Sequence, residues 1–181
     1  MHVLDAVSVA ISLAALCLSV AVARRVTVVL NGLQKSGIPS SEPAAALTGK
    51  KVPGSSLADE RGREIPAVGS EESPLVLAVL SASCSGCRSQ LGDFRQIAGR
   101  RTADSVLVLI PGADDASREL ASEVADVGRV VTGEEASRFV SALEVSAFPA
   151  YLSVTADGTV EFASNSVANL RGFVEEPLVA R

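Results

Sequence analysis

Cys84-Ser85-Gly86-Cys87 contains the two residues of this chain best suited to chemistry. Thiolates are the reactive form of cysteine, and two of them separated by two residues can interchange a disulfide across about one helical turn. The apolar run Leu75–Leu80 precedes the pair, and a segment with helical spacing (Leu91, Phe94, Ile97, Ala98) follows it. Strand, Cys-x-x-Cys, helix is the arrangement of a redox pair. A helix N-terminus presents unpaired N–H groups and partial positive charge, so Cys84 is the expected nucleophile, with a lowered pKa. Cys87 is the expected resolving thiol, which attacks the mixed disulfide and releases the substrate. Ser85 and Gly86 keep the turn small and let a protein substrate approach. Arg88 reads as a solvated residue of the first helical turn and Tyr151 as a packed strand residue.

The second candidate is Phe148-Pro149, directly before the apolar run Ala150–Val154. A proline there cannot donate a ladder hydrogen bond. A cis bond at this dipeptide would bring its backbone beside the cysteines and leave the Phe148 main chain free to pair with a bound peptide. Strand context and the resemblance described below carry that expectation, because cis X-Pro bonds are about 5% of the total.

Composition narrows the partners. The chain has 181 residues and a net charge of −5, with scattered arginines and no basic block, which gives no nucleic-acid footprint. Aromatic residues are 3% of the total, so the core must be aliphatic and stacking platforms for bases or flat cofactors are scarce. No cofactor is expected. A structural zinc site needs four ligands, and the chain offers one histidine, His2, and one Cys pair. The third cysteine, Cys17, sits inside an apolar run with Leu16 before it, where a lipidation signal would place a small residue.

That run, Val3 to Ala23, is mostly Val, Ala, Leu and Ile, and its length suits one membrane-spanning helix in contact with lipid. A cleaved signal peptide would carry its positive charge before the apolar run, whereas Arg24-Arg25 follow it. These arginines argue for a cytoplasmic main domain. Disulfide chemistry argues for an extracytoplasmic one.

The expected organisation is an anchor at 1–25, a juxtamembrane helix and flexible tether at 26–54, and one domain at 55–181. Within the domain, Ser55 to Val68 reads as two short strands around a turn at Asp59-Glu60-Arg61-Gly62. Strands are then expected at 75–81, 105–110, 129–131, 150–155 and 159–163. Helices are expected at 84–100, 114–125, 133–143 and 167–174. Thr132 and Glu135 stand in capping-box register. The order β-α-β-α-β-α, then a hairpin and a helix, is an α/β mixed sheet with helices on both faces.

These parts together resemble membrane-anchored thioredoxin-fold proteins of the TlpA/ResA type, and most closely the methylamine-utilisation accessory family MauD. The matching pieces are Val3–Ala23, the basic amphipathic stretch Arg24–Gln34, Ser81-Ala82-Ser83-Cys84-Ser85-Gly86-Cys87 and Phe148-Pro149. The thioredoxin-like part covers about Leu57 to Val174. The resemblance implies a disulfide reductase or isomerase acting on exported proteins, supplied by a membrane electron donor, with an extracytoplasmic domain. It implies catalysis by Cys84 and Cys87 and substrate binding at Phe148 and Pro149. The chain departs from the pattern in three places. Ser83 stands where thioredoxins usually have Trp, Ala78 where many have a buried acid, and Ser-Gly fills the motif instead of Gly-Pro. No general base for Cys87 is evident, with Glu64, Glu71 and water as the options. Two alternatives fit the same thiols. One is a copper(I) chaperone or scaffold. The other is a thiol peroxidase, which would need a Thr and an Arg around the thiolate.

Overall fold

The computed structural model describes residues 42–175, apart from 55–56, 59–61 and 71–72. The expected anchor, the first part of the tether and Glu71 lie outside the described residues. Among the described residues no helix is long and apolar enough to cross a membrane.

Leu75–Val79 (β3) and Val106–Ile110 (β4) are unbroken aliphatic runs, as strands covered on both faces must be, and every residue in them is buried. They pair in parallel, Val76 opposite Val106, and Arg129–Thr132 (β5) continues the parallel part with Val130 opposite Val108. Ala150–Val154 (β6) lies antiparallel on the other side of β3, and Val160–Ser164 (β7) follows it through a hairpin. Gly158 takes the positive φ (+79°) that this turn requires. The sheet order is β5-β4-β3-β6-β7. The expected strands and their mixed pairing are therefore present, with ends shifted by one or two residues.

Alternation along the strands sorts side chains between two cores. Val76, Ala78, Val106, Val108 and Tyr151 face Ser85–Ala98 (α1), Asp115–Val124 (α2) and Val167–Glu175 (α4). Leu75, Leu77, Val79, Leu107 and Leu152 face Gly133–Ala142 (α3). Helices cover both faces of the sheet, as the sequence order requires.

Two expectations need correction. Residues 42–54 do not form a loose tether. Pro43–Leu47 is a 3-10 turn whose Ala44 and Leu47 are buried in the α3-side core, Val52 joins them, and Lys51 bridges Thr159 beside β7. Ser, Pro and Ala are common in tethers, yet spaced apolar side chains suffice to hold this one down. The capping box is not formed either, because Thr132 makes no side-chain cap bond. Glu135 is used elsewhere: its carboxylate accepts the Ala58 N–H at 2.6 Å. That bond ties α3 to a two-stranded ribbon, Leu57–Ala58 (β1) and Glu64–Ile65 (β2), in which Leu57 pairs with Ile65. The ribbon is the pair of short strands expected from Ser55 to Val68.

Candidate active site

β3 ends at Val79, and the chain turns through Leu80–Ser83 into α1. Cys84 is the N-cap of that helix, with extended backbone (φ −90°, ψ 111°). The position leaves the first N–H groups of the helix without helical partners. One of them, on Cys87, donates to Cys84 Sγ at 3.1 Å, a bond aimed where negative charge would sit on the sulfur. The Cys84 S–H donates in turn to the Phe148 carbonyl at 3.3 Å. Cys84 is partly exposed, Cys87 is fully buried, and both are free thiols.

Cys87 occupies the inner face of α1 with Leu91 and Phe94, at spacings of four and seven residues. Its sulfur accepts the Ser81 N–H at 3.4 Å. Burial, then the hydrogen bond with Cys84, push the Cys87 thiol up to about 12, and the Ser81 N–H opposes them. Among the described residues, no carboxylate is one of the groups acting on this thiol. Glu64, one of the bases considered above, instead lines an open cavity of about 770 Å³ at the β5 edge with Arg63, Arg118 and Arg129.

The structure brings the Phe148-Pro149 segment against the cysteines, and its peptide bond is cis. A Cβ built on Gly86 would stand 3.4 Å from Pro149 Cδ and 3.7 Å from Cys84 Sγ, so a bare backbone keeps that flank of the sulfur open. Ser85 is exposed on the first turn. Among the described residues, Phe148 is the one large hydrophobic side chain left exposed, at 37%. Arg88 does not turn to Cys84: its guanidinium pairs with Glu123 and approaches Glu119 at 4.0 Å, both on α2. An arginine committed to α2 is not available to the thiolate in the way a peroxidase would require.

Two residues not singled out from the sequence hold this arrangement together. Asn165 donates through Nδ2 to the Pro149 carbonyl (2.5 Å) and accepts the Ala44 N–H through Oδ1 (3.0 Å). Gln90 of α1 donates to the Asn165 carbonyl at 3.3 Å and accepts the Val167 N–H at 2.7 Å. Their signal is weak in sequence: a Ser-Asn-Ser stretch before a helix reads as an ordinary cap.

No family model matches the chain, and no curated protein matches it. Solved structures do. A secreted Mycobacterium tuberculosis disulfide oxidoreductase, homologous to E. coli DsbE, is similar at 19% identity and TM-score 0.53, over 67% of this chain and 94% of that one. The thioredoxin domain of a thiol-disulfide oxidoreductase from Bacteroides vulgatus is similar at 14% identity and TM-score 0.55, over 71% and 98%. A thiol-disulfide oxidoreductase from Bacteroides fragilis is similar at 15% identity and TM-score 0.54, over 70% and 98%. At these identities the likeness concerns architecture, and the described part of this chain has the mixed α/β thioredoxin-like fold.

Proposed function

We propose that this chain is a thiol–disulfide oxidoreductase that reduces or isomerises protein disulfides through Cys84 and Cys87. The observation that carries the reading is the asymmetry of the pair. One sulfur is reachable, caps a helix and lies against a backbone carbonyl, and the other is buried one turn along. The fold shared with proteins described as disulfide oxidoreductases supports it.

The chemistry balances as follows. The Cys84 thiolate attacks one sulfur of a substrate disulfide, forms a bond to it and expels the other substrate sulfur as a thiolate, which takes up a proton. Cys87 loses its proton and attacks Cys84 Sγ. The Cys84–Cys87 bond forms, the bond to the substrate breaks, and the second substrate sulfur leaves with its electron pair. The substrate gains two electrons and the protein is oxidised. In isomerisation the expelled thiolate attacks elsewhere in the substrate before Cys87 acts.

The finer reading is a membrane-tethered, TlpA/ResA-like protein closest to MauD. It is anchored through residues 3–23, supplied by a membrane electron donor and active outside the cytoplasm on exported proteins. The apolar run, the Ser-x-x-Cys-x-x-Cys motif and Phe148-Pro149 support it.

Trapping tests the activity. In cells expressing Cys87→Ser, exported proteins are expected to accumulate as mixed disulfides on Cys84 and to be released by reductant. Recovery of no adduct that depends on Cys84 would overturn the reading.

A further inference from the structure

Tyr151 is the residue of this site that the mechanism above leaves unused. It lies on β6 opposite Ala78 of β3, and the small alanine leaves room for a ring under α1. The ring is fully buried and stacks on Phe94, with centroids 5.6 Å apart and planes 28° from parallel. It shares one apolar cluster with Cys87, Leu91 and Phe94. Its hydroxyl has no hydrogen-bond partner among the described residues. A buried hydroxyl without a partner is destabilising, a penalty that phenylalanine at the same position would avoid. The position therefore carries a polar atom that the resting dithiol does not use.

The hydroxyl is buried in the cluster that holds Cys87, on the α1 face of the sheet. From α1, the groups whose charges bear on the phenol are Cys87 first, then Cys84, then Asp93. Asp93 is met by Arg171 of α4 at 3.5 Å. β3 brings no titratable group, and Glu161 of β7 accepts the Ser153 hydroxyl at 2.8 Å. The arginines of α1 turn away, Arg88 to Glu123 of α2 and Arg95 to Asp126 just beyond its end. Burial and the two sulfurs push the phenol's own ionisation up, so it remains a donor at neutral pH. The buried Cys87 sulfur must become an anion to act, and among the described residues its one backbone donor from outside the Cys-x-x-Cys segment is the Ser81 N–H.

We propose that the Tyr151 hydroxyl is a positioning donor for Cys87, supplying the hydrogen bond that the buried thiolate takes up as it attacks Cys84 Sγ. This rests on the oxidoreductase reading and deepens it. The proton of Cys87 passes to the substrate thiolate already expelled or to water. The electron pair on Cys87 Sγ forms the bond to Cys84 while the second substrate sulfur leaves. Tyr151 keeps its proton throughout, and its bond lowers the cost of placing charge on the buried sulfur.

The experiment uses the full chain and an aromatic disulfide, dithiobis-nitrobenzoate, whose coloured thiolate is released once when Cys84 attacks and again when Cys87 resolves the adduct. With Tyr151→Phe, the first release is expected to keep its rate and pH profile. The second is expected to slow about tenfold near neutral pH, with its profile displaced to higher pH, on the scale of a lost hydrogen bond to a charged group. The thermal midpoint is expected to stay level or rise, since an unsatisfied hydroxyl is removed. An unchanged second phase, or equal slowing of both phases with a fall in midpoint, would overturn the role of Tyr151. Absence of a second release in the unsubstituted protein would instead overturn the oxidoreductase reading itself.

Discussion

The two sulfurs are alike in covalent chemistry and opposite in surroundings, and two predictions belong at this scale. Cys87 ionises near 9.0 in an ordinary setting and about 12 when folded, chiefly because it is buried. The folded state therefore keeps its proton where the unfolded chain loses it. Stability of the dithiol form is level below about pH 9 and falls between about 9 and 12, by ~1.4 kcal/mol per pH unit. Urea unfolding at about pH 8 and pH 10 should show this loss in the natural chain and lack it in Cys87→Ala; parallel losses would contradict the burial of that thiol. Gly86 is the second case. It lies in the first turn of α1 without a positive φ, so alanine should stabilise the helix by ~0.5–1 kcal/mol. The added methyl stands against Pro149 and Cys84 Sγ. Gly86→Ala should therefore melt higher yet reduce a protein disulfide severalfold more slowly, with little change toward a small disulfide. Equal rates toward both would show that this flank does not contact the substrate.

Among the elements, the alternation of aliphatic runs and amphipathic segments carried most of what could be known beforehand. β3, β4, β6 and all four helices were legible because their periodicity is strong and their ends are marked by Gly, Pro or Asp. Cys84 at a helix start and Phe148-Pro149 before a strand could be placed on the same grounds. What connects them could not, since it depends on single polar side chains reaching across the fold. Glu135 illustrates the difficulty: its spacing from Thr132 suggests a local cap, but the Ala58 N–H recruits it. Asn165 is the more consequential omission. It joins the Pro149 carbonyl to the Ala44 amide, and Gln90 joins Asn165 to α1. Asn165→Ala strips partners from both backbone groups and should cost about 1–3 kcal/mol in urea unfolding. Hydrogen exchange at the Ala44 amide should quicken in parallel. Unchanged exchange there would mean that the bond contributes nothing.

For the whole molecule, the sequence misplaces one boundary. Among the described residues, packed segments already occur upstream of residue 55, at Pro43–Leu47 and Val52. The error has a physical origin: Ala44, Leu47 and Val52 are too few and too widely set among Ser, Pro and Gly to show a period, yet they are enough to cover the edge of a core. Leu47 is 2% exposed, and Leu47→Ala should destabilise the full chain by about 2–4 kcal/mol. A loss below half a kilocalorie would restore the tether reading for this stretch.

The burial of Cys87 has a kinetic consequence. Of the Cys84–Cys87 pair, only one sulfur has a door to solvent, so on the oxidoreductase reading every visitor, whether it brings electrons or takes them away, must use the same landing. Two visitors cannot be served at once. Turnover on this reading is a strict alternation, in which the first guest departs before the second arrives, and a high concentration of either one slows the other by occupying Cys84.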